Sequence, residues 1–180
     1  MRNFRTDGII IKRRNFGEAD RILTVFTKNF GKIQIKAKGV RRITSRRASH
    51  IELLNLSSIS LYKGRGSLPI LLEAQCVKDF FLIKEDLTRI GFSYHLCELI
   101  DGLCAENQES RSIFYLFENT LERLCLEKDI AVVIHEFEIQ LLTTLGFYKG
   151  SFLQRSNISV FIEHILEKKL KTRQILPQLL

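Results

Sequence analysis

Seven cationic side chains fall within sixteen residues: Lys32, Lys36, Lys38, Arg41, Arg42, Arg46 and Arg47. Cations at that density suit the binding of a polyanion. A lysine ammonium neutralises a phosphate as a point charge, whereas arginine's planar fork pairs two phosphate oxygens at once, so the arginines are the sharper candidates. Arg13, Arg14 and Arg21 lie close in sequence and extend the set. Binding single strands also asks for aromatics on which bases stack; Tyr62, beside Lys63 and Arg65, is a candidate, with Arg65 a further phosphate contact. Phe4, Phe16 and Phe30 border basic segments too, and at least two of them are expected to pack as barrel plugs or hairpin contacts.

Other residue types offer less. Glu18 and Asp20 are acidic in a basic region, but no histidine or second carboxylate cluster accompanies them, so they are expected to position arginines or cap a turn. His50, His95, His135 and His164 are scattered, with no Ser or Cys partner and no glycine-rich elbow. Gly64-x-Gly66 lacks a following helix and reads as a hairpin. Cys76, Cys97, Cys104 and Cys125 form no CxxC pair and read as free, buried thiols, with Cys97 and Cys104 seven apart on one helix face. No catalytic residue, metal or cofactor is expected. A nuclease would need clustered carboxylates for metal-assisted hydrolysis, and the sequence shows none.

The placement of charge says more than its total. The chain of 180 residues carries a formal charge of +8, yet residues 1–80 hold 17 Lys+Arg against 6 Asp+Glu, and residues 81–180 hold 11 against 14. A positive field confined to the N-terminal part makes nucleic acid the first partner to consider and an anionic membrane the second. The start of the chain has only three consecutive strong apolar residues, short of the roughly 7–15 of a signal peptide, and no stretch approaches the ~20 needed to span a bilayer. The expectation is a cytoplasmic, nucleoid-associated protein without membrane contact.

These residues need elements to hold them. Five strands are expected: Phe4 to Arg14, Arg21–Thr27, Lys32–Lys38, Ile51–Tyr62 and Ile70–Val77, with turn chemistry at Asn15-Phe16-Gly17, at Asn29-Phe30-Gly31 and in KGRGSLP. KIQIKAK alternates Ile33, Ile35 and Ala37 against Lys32, Gln34, Lys36 and Lys38, one face core and the other cationic. The segment 39–50 is too polar for core and too long for a tight turn. Five short strands without intervening helix suit an OB-fold barrel over residues 1–78. From residue 79 the period changes to 3.6, predicting helices over 79–88, 92–106, 110–127, 129–145 and 158–175, an all-α bundle over 79–180. Phe92, Leu96, Leu99, Ile100 and Leu103 form one apolar stripe; Ile113, Leu116, Phe117, Leu121 and Leu124 form another, and Gly146 is placed to end the fourth helix. The class is a two-domain α+β protein.

In GEADRILTVFTKNFGKIQIKAKGVRR the order Gly17, Glu18, Asp20, Thr27, Gly31, Ala37, Lys38, Gly39, Arg41 resembles the N-terminal signature of the RecO family of bacterial recombination mediators. The similarity continues through LLNLSSISLYKGRGSLPILLEAQ and LLTTLGF into the terminal ILEKKLKTRQIL, nearly the whole chain. One departure stands out. Many members carry a four-cysteine zinc-binding insertion after LGF, whereas here YKGSFLQRSN runs on without a cysteine, and zinc is not expected.

The resemblance implies a DNA-repair protein without covalent chemistry of its own. It would bind single- and double-stranded DNA, anneal complementary strands, and act with the ring-forming RecR so that RecA loads on DNA coated by single-strand-binding protein. It also implies contact between the helical domain and that protein's acidic C-terminal tail. Lys168, Lys169, Lys171 and Arg173, a basic run on the last helix, are candidates for that contact or for a second phosphate-binding face. An RNA-binding or ribosome-associated barrel protein is the alternative; it explains the charge but not the match of the helical part.

Overall fold

The computed structural model describes residues 2–150 and 155–175. The chain divides into two compact units, one of residues 2–79 with 104–111 and the other of residues 80–103 with 112–175.

In the first unit β1 (Arg2–Phe16), β2 (Asp20–Thr27), β3 (Gly31–Ala37), β4 (Leu56–Lys63) and β5 (Ile70–Lys78) close a barrel in the order β1-β2-β3-β5-β4. This is the OB-fold expected from the sequence. β1 makes closure possible. Its fifteen residues pair with β4 from Arg2 to Ile9 and with β2 from Gly8 to Phe16, and a bulge between Ile10 and Lys12 bends it from one neighbour to the other. β3 meets β5 in parallel at Lys36 and Ile70, reinforced by the Lys36 amide donating to the Pro69 carbonyl at 2.8 Å. Alternation turns Leu23, Val25, Ile33 and Ile35 inward, where they pack with Ile10, Ile59 and Leu61.

Two strand expectations need correction. The fourth strand starts at Leu56, not Ile51. Residues Ala48–Ile51 form a 3-10 turn, and Leu54 adopts φ 70° while its amide donates to the Ile10 carbonyl at 2.9 Å. The apolar run there serves burial of Ile51 and Leu54 instead of a ladder. The cationic face of β3 is the second. Lys32 is 6% exposed, because residues 104–111 run alongside: the backbone of Lys32 pairs in parallel with that of Glu106, its carbonyl accepts the Asn107 amide at 2.9 Å, and the Gln34 side chain donates to the Glu106 carboxylate at 3.0 Å.

The second unit holds α1 (Phe81–Lys84), α2 (Leu87–Leu103), α3 (Arg111–Leu126, whose first residue belongs to the barrel unit), α4 (Ile130–Thr144), α5 (Arg155–Leu166) and α6 (Lys171–Ile175). The predicted stripes are its core: Phe92, Leu96, Leu99 and Ile100 are buried, as are Ile113, Phe117, Leu121 and Leu124, while Leu103 and Leu116 are half-buried. Gly146, at φ 80°, ends α4 with its amide on the Thr143 carbonyl and that of Phe147 on Leu142, satisfying carbonyls the helix leaves open.

Three helical boundaries differ from expectation. The predicted 79–88 helix breaks at Glu85 and Asp86, where the Asp86 carboxylate accepts the Arg89 amide at 3.0 Å. The predicted 92–106 helix runs instead from Leu87 to Leu103, and Cys104 lies with the barrel. The predicted 158–175 helix splits at Glu167, φ 53°. There Glu163 accepts the Leu170 amide, and Glu98 on α2 accepts those of Lys171 and Thr172, so a new helix start is satisfied by side chains distant in sequence. His95 is buried beside this joint, its ring bonded to Glu138 at 2.8 Å and Thr172 at 2.9 Å. Those partners give it a structural role.

Gly31 shows how closely the barrel is covered. A Cβ there would stand 1.9 Å from the Gln108 carbonyl oxygen, and its φ of 65° disfavours any side chain. Gly31→Ala is expected to lower stability by at least ~2 kcal/mol in urea unfolding; a variant within ~0.5 kcal/mol of wild type would mean that residues 104–111 do not lie against the barrel.

Candidate nucleic-acid interface

The β1–β2 turn and the loop after β3 are tied into one rigid corner. Asp20 opens β2, and its carboxylate accepts the Gly39 amide at 2.8 Å and meets the Lys36 ammonium at 3.1 Å. Arg41 adds a second tie, its amide donating to the Ala19 carbonyl and its guanidinium to those of Gly17 and Glu18 at 3.2 and 3.0 Å. Arg47 makes a third, spanning the Lys38 carbonyl at 2.7 Å and the Leu71 carbonyl at 2.8 Å. Carbonyls of the β1–β2 turn, of Lys38 and of β5 are thereby satisfied by arginine donors.

These ties sort the candidate cations. Arg41 and Arg47 hold the loop, and Lys36 is paired with Asp20. Arg13 and Arg21 share the Glu52 carboxylate, Arg21 at 3.5 Å, and the Arg21 Nε is buried without a hydrogen-bond partner. Lys38, Arg42 and Arg46 are exposed, as are Arg14 on β1 and Arg65 in the β4–β5 turn. Tyr62 is half-buried on β4, opposite Asn3 and Ile70. Lys32 is set apart by burial.

Lys38, Arg42, Arg46 and Arg47 line an open cleft of about 550 Å³ whose wall includes Thr44 and Ser45. The Ser45 Oγ is buried there without a hydrogen-bond partner. On the other side of Arg46 and Arg47 a second cleft, of about 320 Å³, is lined by Arg5, His50 and Ser58. Arg5 was not among the sequence candidates, since it lies in the strand far from the cationic run; only its outward alternation on β1 marks it. Such a surface can bind phosphates, using exposed cations mounted on a backbone that is already ordered.

The histidines and cysteines have the following surroundings. His50 accepts the Cys76 amide at 3.2 Å, and the four cysteines are free thiols, Cys76 and Cys125 half-buried. Burial pushes the Cys104 thiol up to about 11. Among the described residues no three His, Cys, Asp or Glu side chains could hold a metal ion. The segment after Phe147 contains no cysteine, so it does not fit a thiolate zinc site; residues 151–154 of it lie outside the described residues. No described helix is long and apolar enough to cross a membrane.

An OB-fold barrel with a cationic corner, followed in the chain by a helical unit, defines the class of two-part proteins in which the barrel is the candidate nucleic-acid reader. Residues 1–80 match the model of the recombination protein O N-terminal domain, and residues 84–149 match that of its C-terminal domain. Proteins called DNA repair protein RecO align with most of the chain. That of Acetivibrio thermocellus is 36% identical over 148 residues, covering 82% of this chain and 59% of its own length. Those of Roseiflexus sp. (36% identical; 81% of this chain, 51% of its own) and Symbiobacterium thermophilum (34%; 82% and 58%) are alike in extent. The chain belongs to the RecO family, and it spans somewhat over half the length of these relatives.

The Asp20 knot is pH-dependent in a definite direction. The Gly39 amide, and after it the Lys36 ammonium, hold the Asp20 carboxyl below its ordinary value of 3.8. A depressed folded-state pKa means that the tie is intact above 3.8 and is lost only as pH falls through the lower, folded value. An NMR titration should give an Asp20 midpoint below 3.8, with the Gly39 amide losing its protection relative to an unstructured amide as that midpoint is crossed; a midpoint at or above the ordinary value would mean that the carboxylate does not hold the corner.

Proposed function

We propose that the chain is a recombination mediator in DNA repair. It binds single- and double-stranded DNA through the barrel's cationic corner, anneals complementary strands, and acts with RecR to help RecA load on DNA coated by single-strand-binding protein. The helical unit takes that protein's C-terminal tail. The role needs no covalent step, in keeping with a site built of phosphate-binding cations, and its place is the nucleoid in the cytoplasm.

One observation carries this reading: the cationic corner sits on the family's own signature residues, Gly17 to Arg41, where Asp20, Gly39 and Arg41 order the loop that displays Lys38, Arg42 and Arg46. The RecO names of the aligned relatives support the repair role. Arg13, Arg14, Arg21, Lys36, Arg65 and Tyr62 extend the contact, Arg13 and Arg21 after exchanging Glu52 for phosphate. Lys32 contributes through the field alone.

The test is annealing of complementary oligonucleotides coated with single-strand-binding protein, and direct binding at several salt concentrations. The Arg42→Ala, Arg46→Ala double variant is expected to keep its Tm, lose most annealing, and show a salt slope on single strands smaller by about 1.4, two phosphates at ~0.7 each. Arg47→Ala, by contrast, is expected to lower Tm, because three carbonyls lose their donor. An unchanged salt slope removes the cleft from the interface. Wild type that binds DNA without annealing it removes the mediator mechanism, and preference for structured RNA over DNA favours the alternative.

A further inference from the structure

We propose that Phe16 is the base-stacking residue of this barrel, taking an unpaired nucleobase on its ring; the inference rests on the DNA-binding reading above.

The three phenylalanines near the basic segments end up in different surroundings. Phe4, half-buried, and Phe30, 38% exposed, pack edge to face, ring centroids 4.8 Å apart. Phe16, the last residue of β1, is 45% exposed and meets the Lys36 ammonium 4.5 Å from its centroid. A cation lies against the ring while nearly half of the residue stays open to solvent, and an electron-rich face already polarised by a cation sits well beside a phosphate-bearing strand.

The ring's mounting is rigid. Phe16 pairs with Asp20 across the hairpin, and Asp20 is tied to Gly39 and Lys36. Gly17, at φ 58°, turns the chain next to it, and the Gly17 and Glu18 carbonyls are held by Arg41. An aromatic platform fixed before binding loses little conformational freedom when a base settles on it. Phosphate partners stand within the same patch: Arg14 lies two residues back on the same strand face, and Lys36 is paired through Ile22 with Arg14 across three strands.

The position within the barrel also fits. OB-folds take oligonucleotides on the face of strands 2 and 3 and at the loops joining strands 1–2 and 4–5. Phe16 stands at the first of these loops, and Lys36 on β3 is hydrogen-bonded to Pro69 at the end of the second. A single strand lying there meets cations for its backbone and the exposed Phe16 ring for a base. A duplex, with its bases already stacked on one another, can use only the cations.

The chain contains no tryptophan, so Phe16→Trp introduces a single tryptophan, excitable apart from the tyrosines, at the proposed contact. Phe16→Ala is expected to weaken oligo-dT binding about 5- to 100-fold, leave binding of a duplex of equal length within about twofold, and leave the salt slope unchanged because no charge is lost. Phe16→Trp should restore single-strand affinity, and its emission should be quenched by oligo-dT and not by duplex. Circular dichroism checks that both variants keep the fold. Wild-type affinity for oligo-dT in Phe16→Ala, equal weakening of both ligands, or Trp emission indifferent to saturating oligo-dT would each overturn the proposal. Wild type that binds neither ligand would instead refute the DNA-binding reading, and the stacking role with it.

Discussion

A carboxylate in the middle of a cationic field is the constraint on which the candidate interface depends. Asp20 is surrounded by Lys36, Lys38 and Arg42, and its charge settles the question that such a cluster raises, namely how like charges can be crowded onto a corner without prising it apart. One oxygen takes the Gly39 amide and the other the Lys36 ammonium, which anchors the start of β2 to β3 and to the loop after it. Because the hydrogen bonds are charge-assisted and the partner is backbone, the tie also sets the loop's starting direction. Everything beyond Gly39, including where Arg42 and Arg46 emerge, inherits that direction.

The arginines then divide into two kinds that a count of charge cannot separate. Arg41 and Arg47 spend their donors on carbonyls of the β1–β2 turn, of Lys38 and of β5, and act as struts. Arg42 and Arg46 are exposed between those struts. Arg13 and Arg21 form an intermediate kind: they share Glu52, a surface carboxylate whose ion pairs hold little energy in high dielectric and which a phosphate can displace at modest cost. Net charge therefore describes the long-range field and does not tell the arginines that tie the loop from those that stand clear of it.

Much of the architecture was legible in the sequence, because period-2 alternation, β-branched enrichment and turn residues all agreed over β1, β2, β3 and β5, and the 3.6 period agreed with Leu-rich stripes in α2, α3 and α4. The misreadings share a cause. The start of β4, the cover over Lys32 and the break at Glu167 are each decided by partners far away in the chain: Ile10 for Leu54, Glu106 and Asn107 for Lys32, Glu98 for the first amides of α6. Local patterns carry no trace of such partners. The site was legible to a lesser degree: the cationic segment could be named from its composition, whereas the split between struts and exposed cations, the exposure of Phe16 and the position of Arg5 follow from tertiary geometry.

A final step concerns what this surface omits. Among the candidate contacts, cations that meet phosphates and a ring that meets a base's flat face are both indifferent to sequence. On the proposed reading that indifference is functional. A protein that pairs two complementary strands must hold each by its backbone while leaving the Watson–Crick edges open to the other strand. Side chains hydrogen-bonding to those edges would raise affinity for a single strand and obstruct annealing by the same amount. Phosphate neutralisation removes the repulsion between two approaching backbones, and one stacked base presents its edge outward instead of burying it. A cationic corner with few ordered struts, several exposed cations and an aromatic platform is suited to that task, because the product duplex gives up the stacking contact and retains only contacts that weaken with salt.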